Sequence, residues 1–183
     1  DVIESRGLGD VYKRQLSDVS TLYGNKAGDS DADTDGFTGL GNEAITLTDT
    51  GSIAASTLLT VAQANSSGTV DASNAGTITG TAAEIIDAYA DSTITEASDV
   101  ALTVNTANSG TATLTQARSL DGLTTGVVTA TIADTALSDL LDDSTPLLDA
   151  NGNNAFTITI GSGDASASAA DLYTLNLSLI HIS

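Results

Sequence analysis

Short runs in which large apolar residues alternate with threonine recur along the chain. They fall at Ala44–Thr48, Thr69–Ser73, Val100–Asn105, Val127–Ile132 and Ala155–Ile160. In the last, Phe156, Ile158 and Ile160 alternate with Thr157 and Thr159; in the first, Ile45 and Leu47 alternate with Thr46 and Thr48. Successive side chains of a strand point to opposite faces, so the pattern predicts strands buried on one face and lined with threonine on the other. Between these runs the apolar period lengthens. Ala82, Ile85, Ile86 and Tyr89 share one helical face, and Ala54, Leu58 and Val61 do nearly the same, as do Ala136, Leu137, Leu140 and Leu141. Thr81-Ala82-Ala83-Glu84 and Thr113-Leu114-Thr115-Gln116 have the form of capping boxes, in which a hydroxyl and an acid or amide satisfy the first free N–H groups of a helix. Ser168-Ala169-Ala170-Asp171 is a weaker version of the same signal.

The runs also resemble one another. Ser67-Gly68-Thr69-Val70-Asp71-Ala72 returns as Thr125-Gly126-Val127-Val128-Thr129-Ala130, and Ala83-Glu84-Ile85-Ile86-Asp87 as Ser138-Asp139-Leu140-Leu141-Asp142. Ala55–Val61 returns as Ala169–Leu175 after twice that interval. Self-similarity at a fixed spacing is the signature of a repeat architecture. The spacing gives a single repeat region over 16–177, with units of 16–51, 52–110, 111–164 and a partial unit 165–177. Each unit splits into strand-helix halves, and alternation of strand and helix implies parallel strands joined by crossovers. The expected fold is therefore α/β: a repeat solenoid of short strands and short helices with a parallel sheet. An all-β solenoid or sandwich is the alternative that the threonine content favours.

Composition narrows the function. The chain of 183 residues has 24 Asp and Glu against 5 Lys and Arg, a net charge of −19. Such a polyanion repels phosphate, so nucleic-acid binding is not expected. With no Cys and one His there is no thiolate or imidazole metal site to build. No apolar run reaches the roughly 20 residues of a membrane span. The apolar share of 40% and mean hydropathy of +0.10 argue for a folded chain over a disordered one.

Two resemblances follow from particular strings. Asp1–Gln15 and the last six residues, Ser178–Ser183, resemble translated sequencing-adapter read-through. That resemblance implies a metagenomic fragment, with 1–15 disordered and both ends outside the fold. It also removes His181, and leaves 21 acids against Lys26 and Arg118. Separately, Thr124-Thr125-Gly126-Val127-Val128, Thr79–Ile85 and Ala169-Ala170-Asp171-Leu172 resemble the tandem Thr/Ala-rich acidic repeats of giant surface or adhesin-like proteins of marine bacteria, cyanobacteria among them. The resemblance implies an extracellular or cell-surface repeat segment without catalytic residues, often beside calcium-binding modules. Its partners would be neighbouring repeats of the same chain, and divalent cations or surface glycans.

The densest chemistry lies in Asp29-Ser30-Asp31-Ala32-Asp33-Thr34-Asp35-Gly36. Carboxylates at alternate positions can converge on a hard cation, and a glycine permits the turn, so Asp29, Asp31, Asp33 and Asp35 are candidate calcium ligands. The match to an EF-hand loop then fails, because Asn42 stands where the bidentate Glu belongs and Glu43 is one place late. A solvated acidic loop is the plain alternative. Asp149–Asn154 has the chemistry of a tight turn. Glu84, Asp87, Asp139, Asp142 and Asp143 lie away from the apolar stripes and form no carboxylate pair in a cleft, so an enzyme is not expected. The Thr-x-Thr pairs Thr46/Thr48, Thr77/Thr79, Thr129/Thr131 and Thr157/Thr159 would form a hydroxyl array like that of ice-binding solenoids. Asp71, Ser73 and Asn105 at neighbouring outward positions are expected to break it, leaving ordinary strand propensity as its cause.

Overall fold

A computed structural model describes residues 12–21, 42–65, 67–105, 110–141, 154–160, 168–171 and 173. The first strand, β1 (Tyr12–Arg14), precedes a helical stretch at 16–21. Two short strands and a helix then alternate in order: β2 (Ala44–Leu47), β3 (Ser52–Ala54) and α1 (Ala55–Ala64). Next come β4 (Thr69–Asp71), β5 (Thr77–Gly80) and α2 (Ala82–Ala90). They are followed by β6 (Ile94–Thr95), β7 (Ala101–Val104), β8 (Thr111–Ala112) and α3 (Leu114–Leu123). The chain closes with β9 (Val128–Thr135), α4 (Leu137–Leu140) and β10 (Ala155–Ile160).

Among the described residues all the strand pairs are parallel, and they form two sheets. The first runs β1-β2-β4-β6; the second runs β10-β9-β7-β5-β3, with β8 also on β9. The protein is thus α/β, with helices between parallel strands. The expectation of one sheet is corrected to two, and that of one strand per helix to two. The second strand escaped notice because pieces such as Ser52-Ile53-Ala54 carry a single inward residue, too little to display period 2. β1 comes from the segment set aside as adapter-like, and it pairs with β2 through Tyr12 with Ile45 and Arg14 with Leu47.

The pairing step is nearly constant in six of the strand pairs, the exceptions being β1 with β2, Tyr12 on Ile45, and β8 with β9, Thr111 on Thr131. In the first sheet Ile45 pairs with Val70, 25 residues on, and Val70 with Ile94, 24 on. In the second, Ile53, Ile78, Leu102 and Val128 form one column at steps of 25, 24 and 26. Every member of that column is at most 4% exposed. Ser67–Ala72 and Thr125–Ala130 are alike in sequence but feed different sheets, through β4 and β9 respectively.

The helices present small residues to the sheets. α1 buries Ala55, Leu58, Val61 and Ala62; α2 buries Ala82, Ile85 and Ala88; α3 buries Ala117 and Leu120. Alanine lets a helix approach closely while keeping high helix propensity. α2 packs between α1 and α3, and both sheets and the helices share one apolar core. Both expected capping boxes form. Thr81 Oγ1 accepts from Glu84 N while Thr81 N donates to the Glu84 carboxylate, and Thr113 and Gln116 do the same. Ser168 and Asp171 make the equivalent reciprocal bonds.

Candidate functional site

The expected calcium ligands Asp29, Asp31, Asp33 and Asp35 lie outside the described residues. Glu43, the acid one place late in that motif, is described and is half-buried. Its backbone is held by Asn65 at the end of α1. Glu43 N donates to Asn65 Oδ1 at 3.0 Å, and Asn65 Nδ2 donates to Glu43 O at 2.8 Å. The Glu43 carboxylate accepts from Asn42 N at 3.1 Å. Among the described residues no group of three or more His, Cys, Asp or Glu could hold a metal ion.

Among the described residues, Asn65 is one of two fully or nearly fully buried polar residues; the other is Thr124. Both fasten a helix end to the preceding sheet strand. Thr124 Oγ1 donates to Val100 O at 2.7 Å and itself accepts from Gly126 N. Asn74 Nδ2 reaches Leu47 O at 2.8 Å, 27 residues back, in the same manner. These polar groups therefore have structural work, satisfying backbone that two short strands leave exposed.

One cluster is not explained by such pairing. Just beyond Thr95, which pairs with Asp71, and two residues on from the buried Ile94, Glu96 is half-buried on the inward side of the strand end. Glu96 Oε1 and Tyr89 Oη are buried without a hydrogen-bond partner among the described residues. Burial pushes the Glu96 carboxyl up to about 7; a hydrogen bond from its own backbone opposes the rise, and the Asp91 charge adds to it. Burial also raises the Tyr89 phenol, with the Glu96 charge adding. Asp91 is itself engaged by Thr93, whose N–H and hydroxyl both donate to Asp91 Oδ1. The arrangement can take up or release a proton near neutral pH. Sequence reading placed Tyr89 on a helix face and overlooked Glu96, because β6 is only two residues long and gives no alternation to reveal an inward acid.

The other candidate surface is the threonine face. Thr79, Thr103 and Thr129 are aligned across β5, β7 and β9, and Thr111, Thr131 and Thr157 across β8, β9 and β10. All six are exposed or half-buried, on the opposite face from the core column. Asp71, expected to interrupt this array, lies on β4 in the other sheet; Ser73 follows the same strand, and Asn105 falls beyond the end of β7.

No family model, curated protein or solved structure matches the chain. Among the described residues no helix is long and apolar enough to cross a membrane.

Proposed function

We propose that the chain is a non-catalytic structural repeat segment of a large extracellular, adhesin-like bacterial protein, built as a solenoid of β–β–α units. The observation that carries this reading is the pairing step of 24–26 residues along β2-β4-β6 in one sheet and β3-β5-β7-β9 in the other. In such a stack each unit buries its apolar side against its neighbours, so the partner of each repeat is the next repeat. The excess of carboxylates keeps the rod soluble and self-repelling. The acidic segment Asp29–Asp35 would add calcium stabilisation, since bridging by a divalent ion relieves repulsion among close carboxylates.

A solenoid tolerates loss of a whole unit. Removing residues 69–92 brings Gly68 to Thr93 and offers β6 to β2 and β7 to β3 in the registers β4 and β5 now use. The shortened chain is expected to keep a cooperative melt and the helix-and-strand circular dichroism of the parent. A chain that no longer melts cooperatively would sink the reading. Calcium titration followed by thermal midpoint tests the loop: a rise in the parent that Asp31→Ala and Asp33→Ala abolish supports it, and no rise in the parent removes it.

A further inference from the structure

The first sheet ends on a strand with little to hold it. Among the described strands β6 pairs with β4 alone, over two residues. Its bonds to β4 include those from Val70 N to Thr93 O and from Ala72 N to Thr95 O, both at 2.8 Å. Ile94 is its one apolar anchor. On either side the chain is tied elsewhere. Asp91, at the end of α2, takes the N–H and hydroxyl of Thr93 on one carboxylate oxygen. Ser98 O accepts from Thr125 N and from the hydroxyls of Thr124 and Thr125. β7, in the second sheet, is by contrast paired on both sides, with β5 and with β9.

Glu96 stands where β6 ends, and its surroundings suit a neutral acid better than a charged one. Glu96 Oε1 and Tyr89 Oη, the latter from α2, are both buried without a hydrogen-bond partner among the described residues. Burying an unpaired carboxylate costs far more than burying an unpaired neutral carboxyl. β4 and α2, the elements packed most closely on β6, carry no Lys or Arg. From the end of α2 comes Asp91, whose charge opposes ionisation, and Tyr89, whose phenol is kept neutral by burial. β4 brings Asp71, level with Thr95 and engaged by Ser73 N. Asp87 on α2 and Asp99 beyond β6 are exposed, and Glu84 closes the capping box at the other end of α2. Arg118 lies on α3, which packs on α2 and β9. An ionised Glu96 therefore gains most by turning out to water. The residue next to it is Thr95, whose carbonyl holds the bond from Ala72.

We infer that β6 is a proton-operated latch: it stays docked on β4 while Glu96 is neutral and opens more often, independently of the second sheet, once Glu96 ionises. The inference rests on the bonding of β6 and not on the reading of the chain as a spacer.

The test is amide hydrogen exchange by NMR on the whole chain, each rate divided by its unfolded-chain rate at the same pH. Val70 N and Ala72 N report the latch, because the β6 segment supplies their acceptors. Leu102 N, bonded to Val127 O, reports the second sheet. Between about pH 5.5 and about pH 8.5, protection at Val70 and Ala72 is expected to fall about tenfold relative to Leu102. The sign follows because the docked strand holds the Glu96 proton more tightly than the opened one. Glu96→Gln, close in shape and unable to ionise, should abolish the fall. No fall in the parent, an equal fall at Leu102, or a fall that survives in Glu96→Gln overturns the inference. If that variant does not fold, the parent decides. The Glu96 carboxyl resonance and the loss of protection at Ala72 should then share one midpoint, and separate midpoints overturn the latch.

Discussion

From β2 to β6 and from β3 to β9 the two sheets share one pairing step, yet they end very differently. The second sheet continues from β3 to β10, and its inward column is apolar throughout. The first sheet stops at β6. Between α3 and β9 only residues 124–127 remain, too few for another strand on that side. They spend their hydrogen bonds on the β6–β7 connection instead: Thr125 N donates to Ser98 O at 2.8 Å, and Thr124 Oγ1 to Val100 O at 2.7 Å. At this last strand an acid, Glu96, occupies an inward position. Inward acids are characteristic of sheet edges, where they discourage further pairing. The comparison teaches that a repeat can carry its apolar continuity in one sheet while the other is free to end.

The largest expected effects test that continuity. Leu102 lies fully buried between Ile78 and Val128. Leu102→Ala should cost about 3–5 kcal/mol by urea denaturation, because neighbours on both sides prevent collapse of the cavity. Ile94→Ala, in the last strand of the first sheet, should cost less, about 2 kcal/mol. Equal losses would erase the distinction between the sheets.

The next effect concerns the turn that ends the first sheet. A Cβ on Gly126 would meet the backbone carbonyls of Asp99 and Val100, neither of which can swing aside. Gly126→Ala should therefore destabilise by about 1–3 kcal/mol, as overpacking does. Gly122, within α3, faces open space, and Gly122→Ala should stabilise by about 0.5 kcal/mol through helix propensity. Thermal melts of the pair would show opposite signs.

Glu96 gives a smaller effect with a defined pH window. Its folded-state pKa of about 7 lies above the ordinary 4.5, so the folded state holds the proton more tightly than the unfolded one. Stability should then fall as pH rises from about 4.5 through 7, and level off above it. Glu96→Gln should remove that contribution to the slope and stabilise at pH 8 by about 1 kcal/mol, the full shift being discounted because solvent still reaches the group. A variant with the parent's pH profile would show that Glu96 is not desolvated. The smallest effect is at the helix caps. Thr81→Ala should cost about 1 kcal/mol by opening the capping box. Ala54, which gives α1 no side-chain cap, should allow Ala54→Ser to gain a few tenths of a kcal/mol.

Much of the local structure was legible in the residues. The threonine alternation located β2, β4, β7, β9 and β10 to within a few residues, and the Thr81 and Thr113 motifs placed the starts of α2 and α3. Local signals suffice there because an alternating run or a capping box contains all of its own evidence within four to six residues. The candidate sites were less legible. Asp29–Asp35 was conspicuous as a string, whereas Glu96 acquires its raised proton affinity from burial first and then from the charge of Asp91, neither of which its own short stretch of strand displays.

What the sequence determined by itself was the class of element at most positions, the inward and outward sides of the longer strands, and recurrence along the chain. These depend on period, propensity and near neighbours, which are properties of a short stretch. Tertiary structure alone decided that there are two sheets, that Thr129 shares a ladder with Thr79 and Thr103 while Asp71 stands elsewhere, and that Glu96 is drawn out of water. Each depends on which strand 24–26 residues away becomes the neighbour. Strands of two to four residues carry too few side chains to specify that choice locally, so packing of the whole core makes it.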